Sequence, residues 1–228
     1  MNNADTTLEN NSWDVIASIA AQGSGETYWN VGDTKNVVIN NKNYIAKIIG
    51  FNIYPLATTD NNYNSTLYNN GSNKANISFL MFTSLGSNVI DNTKMNYAKW
   101  ADVAMRNTTL PNYLRQFPTE LQDNLRTVSI YSHLDWGSRR PYAQSNDNLF
   151  LPSRYEIQVT QGEDWDYQYL CKFPYYVQGN AFGLPKIWTR DRDDVDQLAQ
   201  WTAINALTSS ISASGRTSRN ATCPIFNL

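Results

Sequence analysis

Apolar and polar positions divide the chain into a helical opening and a strand-rich remainder. In "SWDVIASIAAQG", Trp13, Ile16, Ala17 and Ala20 recur at helical spacing. A short helix is therefore predicted, with Ser12 as its N-cap and Gly23 ending it. "NVVIN" and "YIAKIIGFNIY" are β-rich runs about an Asn-rich turn placed at Asn41–Lys42, which predicts a hairpin. Residues 57–74 are rich in Asn, Thr and Ser without periodicity, which reads as an exposed loop. "NISFLMFTSL" follows as a buried strand. Between Met95 and Asn107, the spacing of Tyr97, Trp100, Val103 and Ala104 predicts a helix. A second helix should run through "TELQDNLRTV", with Thr119 as a candidate N-cap and Leu121, Leu125 and Val128 on one face.

Further along, residues 135–148 read as a polar loop. "NLFLPSRYEI" reads as a strand entering a turn, and "DWDYQYLCKFPYYVQG" as a partly alternating aromatic segment. Residues 186–190 are predicted as a strand with Trp188 buried. Only Val195 is apolar between Asp191 and Asp196, and burying such charges unpaired would be costly, so residues 191–197 are expected as an exposed loop. "QWTAINAL" alternates: if Ile204 points inward, Trp201 and Asn205 point outward. A Ser/Thr/Gly loop from Thr208 to Ser218 and a short last strand in "ATCPIFNL" complete the chain. The pattern gives an α+β class, with residues 1–11 as a flexible or docking tail and residues 12–228 as one domain.

Composition narrows the function. The 228 residues are 41% apolar and 13% aromatic, enough for a sizeable core, yet only 17% are charged. Low charge with abundant Tyr, Asn and Ser fits an adaptable recognition surface and equally fits a nucleotide-composition bias. Eighteen basic and 20 acidic residues leave a net charge of −2 without a basic stripe, so nucleic acid is not an expected partner. No basic segment followed by an apolar run opens the chain, and no apolar stretch approaches the ~20 residues that span a bilayer. Neither a Sec signal nor membrane insertion is expected. Sequons at Asn10, Asn64, Asn70, Asn76, Asn107 and Asn220 are attributed to the Asn-rich composition.

Asp191, Asp193 and Asp194 lack the spacing of a calcium loop: counting from Asp191, the sixth position is Asp196 where a glycine is needed. An ion-paired loop with Arg190 and Arg192 is the reading preferred, with no metal and no cofactor. His133 is the only histidine, and with Asp135 it forms at most a lone base without a nucleophile. Cys171 and Cys223 read as two buried thiols, with a disulfide left open. The carboxylates of Glu163 and Asp164 read as a surface pair. Recognition remains. Tyr175, Tyr176, Asn180, Arg190, Asp191, Arg192, Asp193, Trp201 and Asn205 combine aromatics, charges and amides typical of interface hot spots, and form the candidate ligand-binding surface.

Several blocks together carry a resemblance. These are "SWDVIASIAAQG", "YWNVGDTKNVVINNKNYIAKIIGFN", "W…MR…LPNYLRQFPTELQDNLRTV", "DNLFLPSRYEI", "IWTRDRD" and "CPIFNL". In this order the chain resembles C-type-lectin-like domains of phage, prophage and Gram-positive bacterial proteins, from Ser12 to Leu228. The usual Trp-Leu-Arg-Ser-Pro-like strand is altered here to Trp188-Thr189-Arg190-Asp191-Arg192. The resemblance implies two or three short helices with a mostly antiparallel twisted sheet, and a segment after Trp188 in the position used for receptor display. It implies a non-enzymatic virion surface protein, on head or tail, that binds a host cell-surface glycan or protein. Such a protein would be made in the bacterial cytoplasm, would contact other virion structural proteins and would assemble as a homo-oligomer, a trimer in the first instance. The alternatives are a capsid or tail decoration protein and a relative of the formylglycine-generating oxidases, since one fold hosts several activities.

Overall fold

The computed structural model describes residues 4–64, 73–92, 99–133, 142–157, 172–178, 186–192, 200–205 and 210–228. The chain is a mixed α+β structure with mostly antiparallel sheets and few, short helices. Helix α1 (Trp13–Ala21) starts where expected: the Ser12 side chain accepts the Val15 N–H at 3.2 Å, and Gly23 follows the helix with φ +68°. Its Trp13 sits edge-on to Phe79 and Phe226, which stack on each other at 5.1 Å between centroids. Helix α2 (Gly25–Tyr28) is one turn long.

Strands β1 (Thr34–Ile39) and β2 (Lys42–Phe51) form the predicted hairpin. The turn lies at Asn40 and Asn41, one residue before its expected place, with φ of 49° and 62°. Two left-handed residues are what a two-residue hairpin turn needs, and Asn tolerates that region better than Lys does. β3 (Ile77–Met81) is buried throughout. It joins β2, β12 (Ile225–Asn227) and β7 (Leu149–Phe150) in a five-stranded sheet ordered β1-β2-β3-β12-β7. A second five-stranded sheet is ordered β10-β9-β8-β11-β4, from Ser210–Gly215, Gln200–Asn205, Lys186–Arg192, Asn220–Ala221 and Ser87–Asn88. Its β8–β11 contact is parallel. β5 (Val128–His133) and β6 (Tyr142–Asp147) form a two-stranded ribbon. One hydrophobic cluster joins the sheets, containing Ile48, Phe79 and Phe226 of the first and Ile187, Trp188 and Ile204 of the second.

The structure departs from the sequence expectations in several elements. The helix expected from Met95 is, in its described part, a 3₁₀ turn (Trp100–Asp102), a π-helical turn (Met105–Thr109) and the short α3 (Leu110–Leu114). Helix α4 (Thr119–Asn124) takes Pro118 as its N-cap and stops early, so Val128 begins β5 instead of extending a helical face. The polar stretches expected as loops at 135–148 and 208–218 contain β6 and β10, whose backbones pair with β5 and β9. Residues after "NLFLP" turn into α5 (Arg154–Ile157), and the aromatic segment ends in α6 (Pro174–Val177). The tail expected over residues 1–11 lies, from Ala4, against the body. Leu8 is buried, the Trp29 indole donates to the Asp5 carbonyl at 3.1 Å, and the Lys35 ammonium donates to the carbonyls of Glu9 and Asn11. Sequon residues Asn76 and Asn220 are buried and bonded to Gly25 N–H and the Ser214 hydroxyl.

Candidate functional site

The charged stretch after Trp188 begins inside the protein. β8 carries Thr189, Arg190 and Asp191, each with 0% exposure. Ionised groups are tolerated in such a place only when paired and fully hydrogen-bonded. The partners come from Leu151–Ile157, the segment "LPSRYEI". Arg190 meets Glu156 in a bidentate pair, Nη2 to Oε1 at 2.6 Å and Nη1 to Oε2 at 2.7 Å. Its Nη1 also reaches the Leu151 carbonyl at 2.9 Å, and its Nε reaches the Tyr131 carbonyl at 2.7 Å. Glu156 accepts two more donors, the Tyr54 hydroxyl at 2.8 Å and the Ser153 N–H at 2.7 Å. Asp191 accepts from the Ser153 hydroxyl at 2.8 Å and the Arg154 N–H at 2.6 Å.

The electrostatics follow from this geometry. Burial works against the charge on Arg190, but the Glu156 carboxylate outweighs it and holds the guanidinium more firmly protonated than usual. Tyr54 is pushed well above the ordinary phenol range, first by burial and then by the Glu156 charge, with Arg190 opposing. Both oxygens of Glu156 are thus committed to two donors each.

The expectation that Asp191 opens an exposed loop is therefore corrected, as is the exposure of Arg190. The charge-cost argument applies to groups without partners; Arg190 is ion-paired with Glu156, and Asp191 accepts two buried hydrogen bonds. Trp201 is also corrected: it is 2% exposed although Ile204 is 0% exposed. On β9, Trp201 and Ala203 share one face and Ile204 takes the other, and all three are buried, so both faces are covered and alternation does not separate inside from outside. Tyr175 and Tyr176 are buried in α6, Tyr175 accepting from the Lys47 ammonium at 3.1 Å. Arg192 and Asn205 lie on β8 and β9 by their backbones; Asn180 and Asp193 fall outside the described residues. The structure brings Arg190 and Asp191 together with Glu156, Tyr54 and Ser153, which sequence reasoning passed over. A signal was present: Ser153-Arg154-Tyr155-Glu156 has capping-box spacing, and the Glu156 carboxylate does reach back to the Ser153 N–H.

The remaining candidates divide in the same way. Cys223 is a free, buried cysteine whose thiol is pushed up to about 12, chiefly by burial, with a Ser84 hydrogen bond opposing. His133 ends β5, and Asp135, Glu163, Asp164 and Cys171 lie outside the described residues. Among the described residues no group of three or more His, Cys, Asp or Glu side chains could hold a metal, and no helix is long and apolar enough to cross a membrane. Comparison with known proteins gives no matching family model, no matching curated protein and no matching solved structure.

Proposed function

We propose that the chain is a non-enzymatic binding module of C-type-lectin-like fold, carried on a phage virion surface, that attaches to a host cell-surface glycan or protein. One observation supports the non-enzymatic part of this reading. Three deeply buried charged residues, Arg190, Glu156 and Asp191, are committed to holding the "LPSRYEI" segment against β8. They act as a frame, and every oxygen of Glu156 is occupied by donors that a general base would need to release. The helix-then-hairpin opening and the mainly antiparallel sheets are compatible with the fold proposed. A homotrimer fits the same reading, because several weak sites on one particle add avidity.

The charged run continues beyond Arg192 through Asp193, Asp194 and Asp196. The test replaces these three by Ser and leaves Arg190 and Asp191 intact, since those two are internal. Labelled protein is then titrated onto intact low-GC Gram-positive cells. The expected result is an unchanged urea midpoint with at least a tenfold loss of cell binding. Unchanged binding by a folded variant overturns this run as the display surface. A wild-type protein that binds virions but no cell favours the decoration reading. The oxidase reading draws no support from Cys223, whose thiol is buried and held protonated.

A further inference from the structure

Away from the buried frame, the first sheet ends at β1, which has β2 on one side and, among the described strands, none on the other. An edge strand offers its outward N–H and C=O groups to any second strand, and folds commonly block it. The register decides which groups of β1 point outward. The two-residue turn at Asn40 and Asn41 makes Ile39 and Lys42 a hydrogen-bonded pair, and bonded pairs then recur at Val37–Tyr44 and Lys35–Ala46. The backbones of Thr34, Asn36 and Val38 therefore face away from β2. Two observations agree with this. Ile45, opposite Asn36, directs its own backbone to the other side, its carbonyl accepting from the Phe82 N–H at 2.7 Å. The Asn36 N–H donates outward, to the Glu9 carboxylate at 2.7 Å.

Glu9 crosses this edge. It lies in a 3₁₀ turn (Leu8–Asn10), and its carbonyl accepts from the Lys35 ammonium at 3.2 Å, on the buried face of β1. Its carboxylate reaches round to the exposed face, where the Asn36 side-chain amide donates to it at 3.0 Å. The carboxylate thus stands where a partner strand's carbonyl would stand, at the middle of the three outward positions. Val38, two residues on, carries no such cap: its side chain is 48% exposed, and no acceptor among the described residues meets its N–H. Ile45, diagonal to it on the same face, is 43% exposed. Among the described residues only Val177 is a further large apolar side chain left exposed.

We propose that β1 is a pairing edge for a second copy of this chain, and that Glu9 is the latch that holds it shut. The occupant follows from the register. An antiparallel edge pairs with its own two-fold copy when its outward residues are symmetric about the axis. Thr34, Asn36 and Val38 meet that condition about Asn36. Asn36 then opposes its equivalent and Thr34 opposes Val38 of the second copy, so every outward backbone group of these three residues is bonded. The exposed Val38 and Ile45 side chains of both copies share one face. Glu9 occupies the central N–H of that register, and two Glu9 carboxylates would meet at its axis, where like charges repel. The inference goes beyond the attachment reading and does not depend on it.

Light scattering on the full chain tests it. Glu9→Ala should raise the particle mass to at least twice the wild-type value, increasing with concentration. Adding Val38→Pro to E9A should restore the wild-type mass, because proline removes an outward N–H; V38P alone should fold and match wild type, since the edge tolerates proline there. Hydrogen exchange on wild type needs no variant: the Asn36 amide should exchange at least tenfold more slowly than the Val38 amide. In E9A the Val38 amide should become protected, which association through another surface does not produce. An E9A protein that keeps the wild-type mass at every concentration overturns the proposal. So does association that V38P leaves intact. Equal protection of Asn36 and Val38 in wild type also overturns it, because the edge is then either wholly open or already covered.

Discussion

Arg190 and Glu156 concentrate the chemistry of the fold at single residues. Removing one member of a buried, bonded pair leaves the other charge without compensation, which typically costs about 3–5 kcal/mol. Arg190→Met and Glu156→Gln should each lower stability by about that amount in urea titrations. The double variant R190M/E156Q should lose clearly less than the two single losses added together, because no orphaned charge remains. Additive losses would show that the two groups act independently. Arg190 was legible as an important residue, from its place beside Trp188. Its burial was not, because a run of charges reads as solvated unless its partners are known, and Glu156 lies 34 positions away. Asp191 was misplaced for the same reason: its donors, Ser153 and the Arg154 N–H, belong to a segment that sequence does not bring near it.

Elements are legible where local chemistry decides them. The first helix combines an N-cap serine, an apolar stripe and a terminal glycine, and it forms as its sequence specifies. The hairpin is likewise local, and its turn rests on Asn40 and Asn41 at positive φ. Left-handed backbone costs a β-branched residue about 1–2 kcal/mol per position. Replacing both asparagines by Val should therefore lower stability by about 2–4 kcal/mol, whereas Asn41→Gly should leave it unchanged or raise it slightly. Equal midpoints for the Val pair and wild type would mean the turn has a different conformation. β6 was illegible because Tyr-Ala-Gln-Ser-Asn-Asp offers no apolar alternation, and β10 because Ser-Ile-Ser-Ala-Ser-Gly alternates only weakly apolar positions inside a Ser/Thr/Gly-rich stretch that reads as a loop. Backbone pairing with β5 and β9 stabilises them, and that pairing is tertiary information. The broken helix around Met105 is similar: Trp100, Val103 and Met105 are all buried, and packing them takes 3₁₀ and π turns in place of a continuous α-helix.

At the scale of the molecule, one core spans both large sheets, and its buried ionisable groups tie stability to alkaline pH. Cys223, at the junction of β11 and β12, stays protonated up to about pH 12. The unfolded thiol loses its proton near pH 8.5. Between these values the unfolded chain binds fewer protons than the folded one, so stability falls as pH rises. The contribution is fully present below about pH 8.5 and is lost toward 12, at about 1.4 kcal/mol per pH unit in the steep part. Tyr54 and Tyr176, both raised well above the ordinary phenol value chiefly by burial, add the same sign of dependence, but only above about pH 10. The two contributions therefore separate along the pH axis. Urea midpoints of wild type should decline from about pH 9. Cys223→Ala starts from a lower midpoint because it leaves a small cavity, but its curve should stay flat to about pH 10 and fall only beyond it. A decline between pH 9 and 10 that persists in C223A would place the alkaline sensitivity elsewhere in the molecule. No loss at all up to pH 11 in wild type would mean that the core opens to solvent around these groups without unfolding.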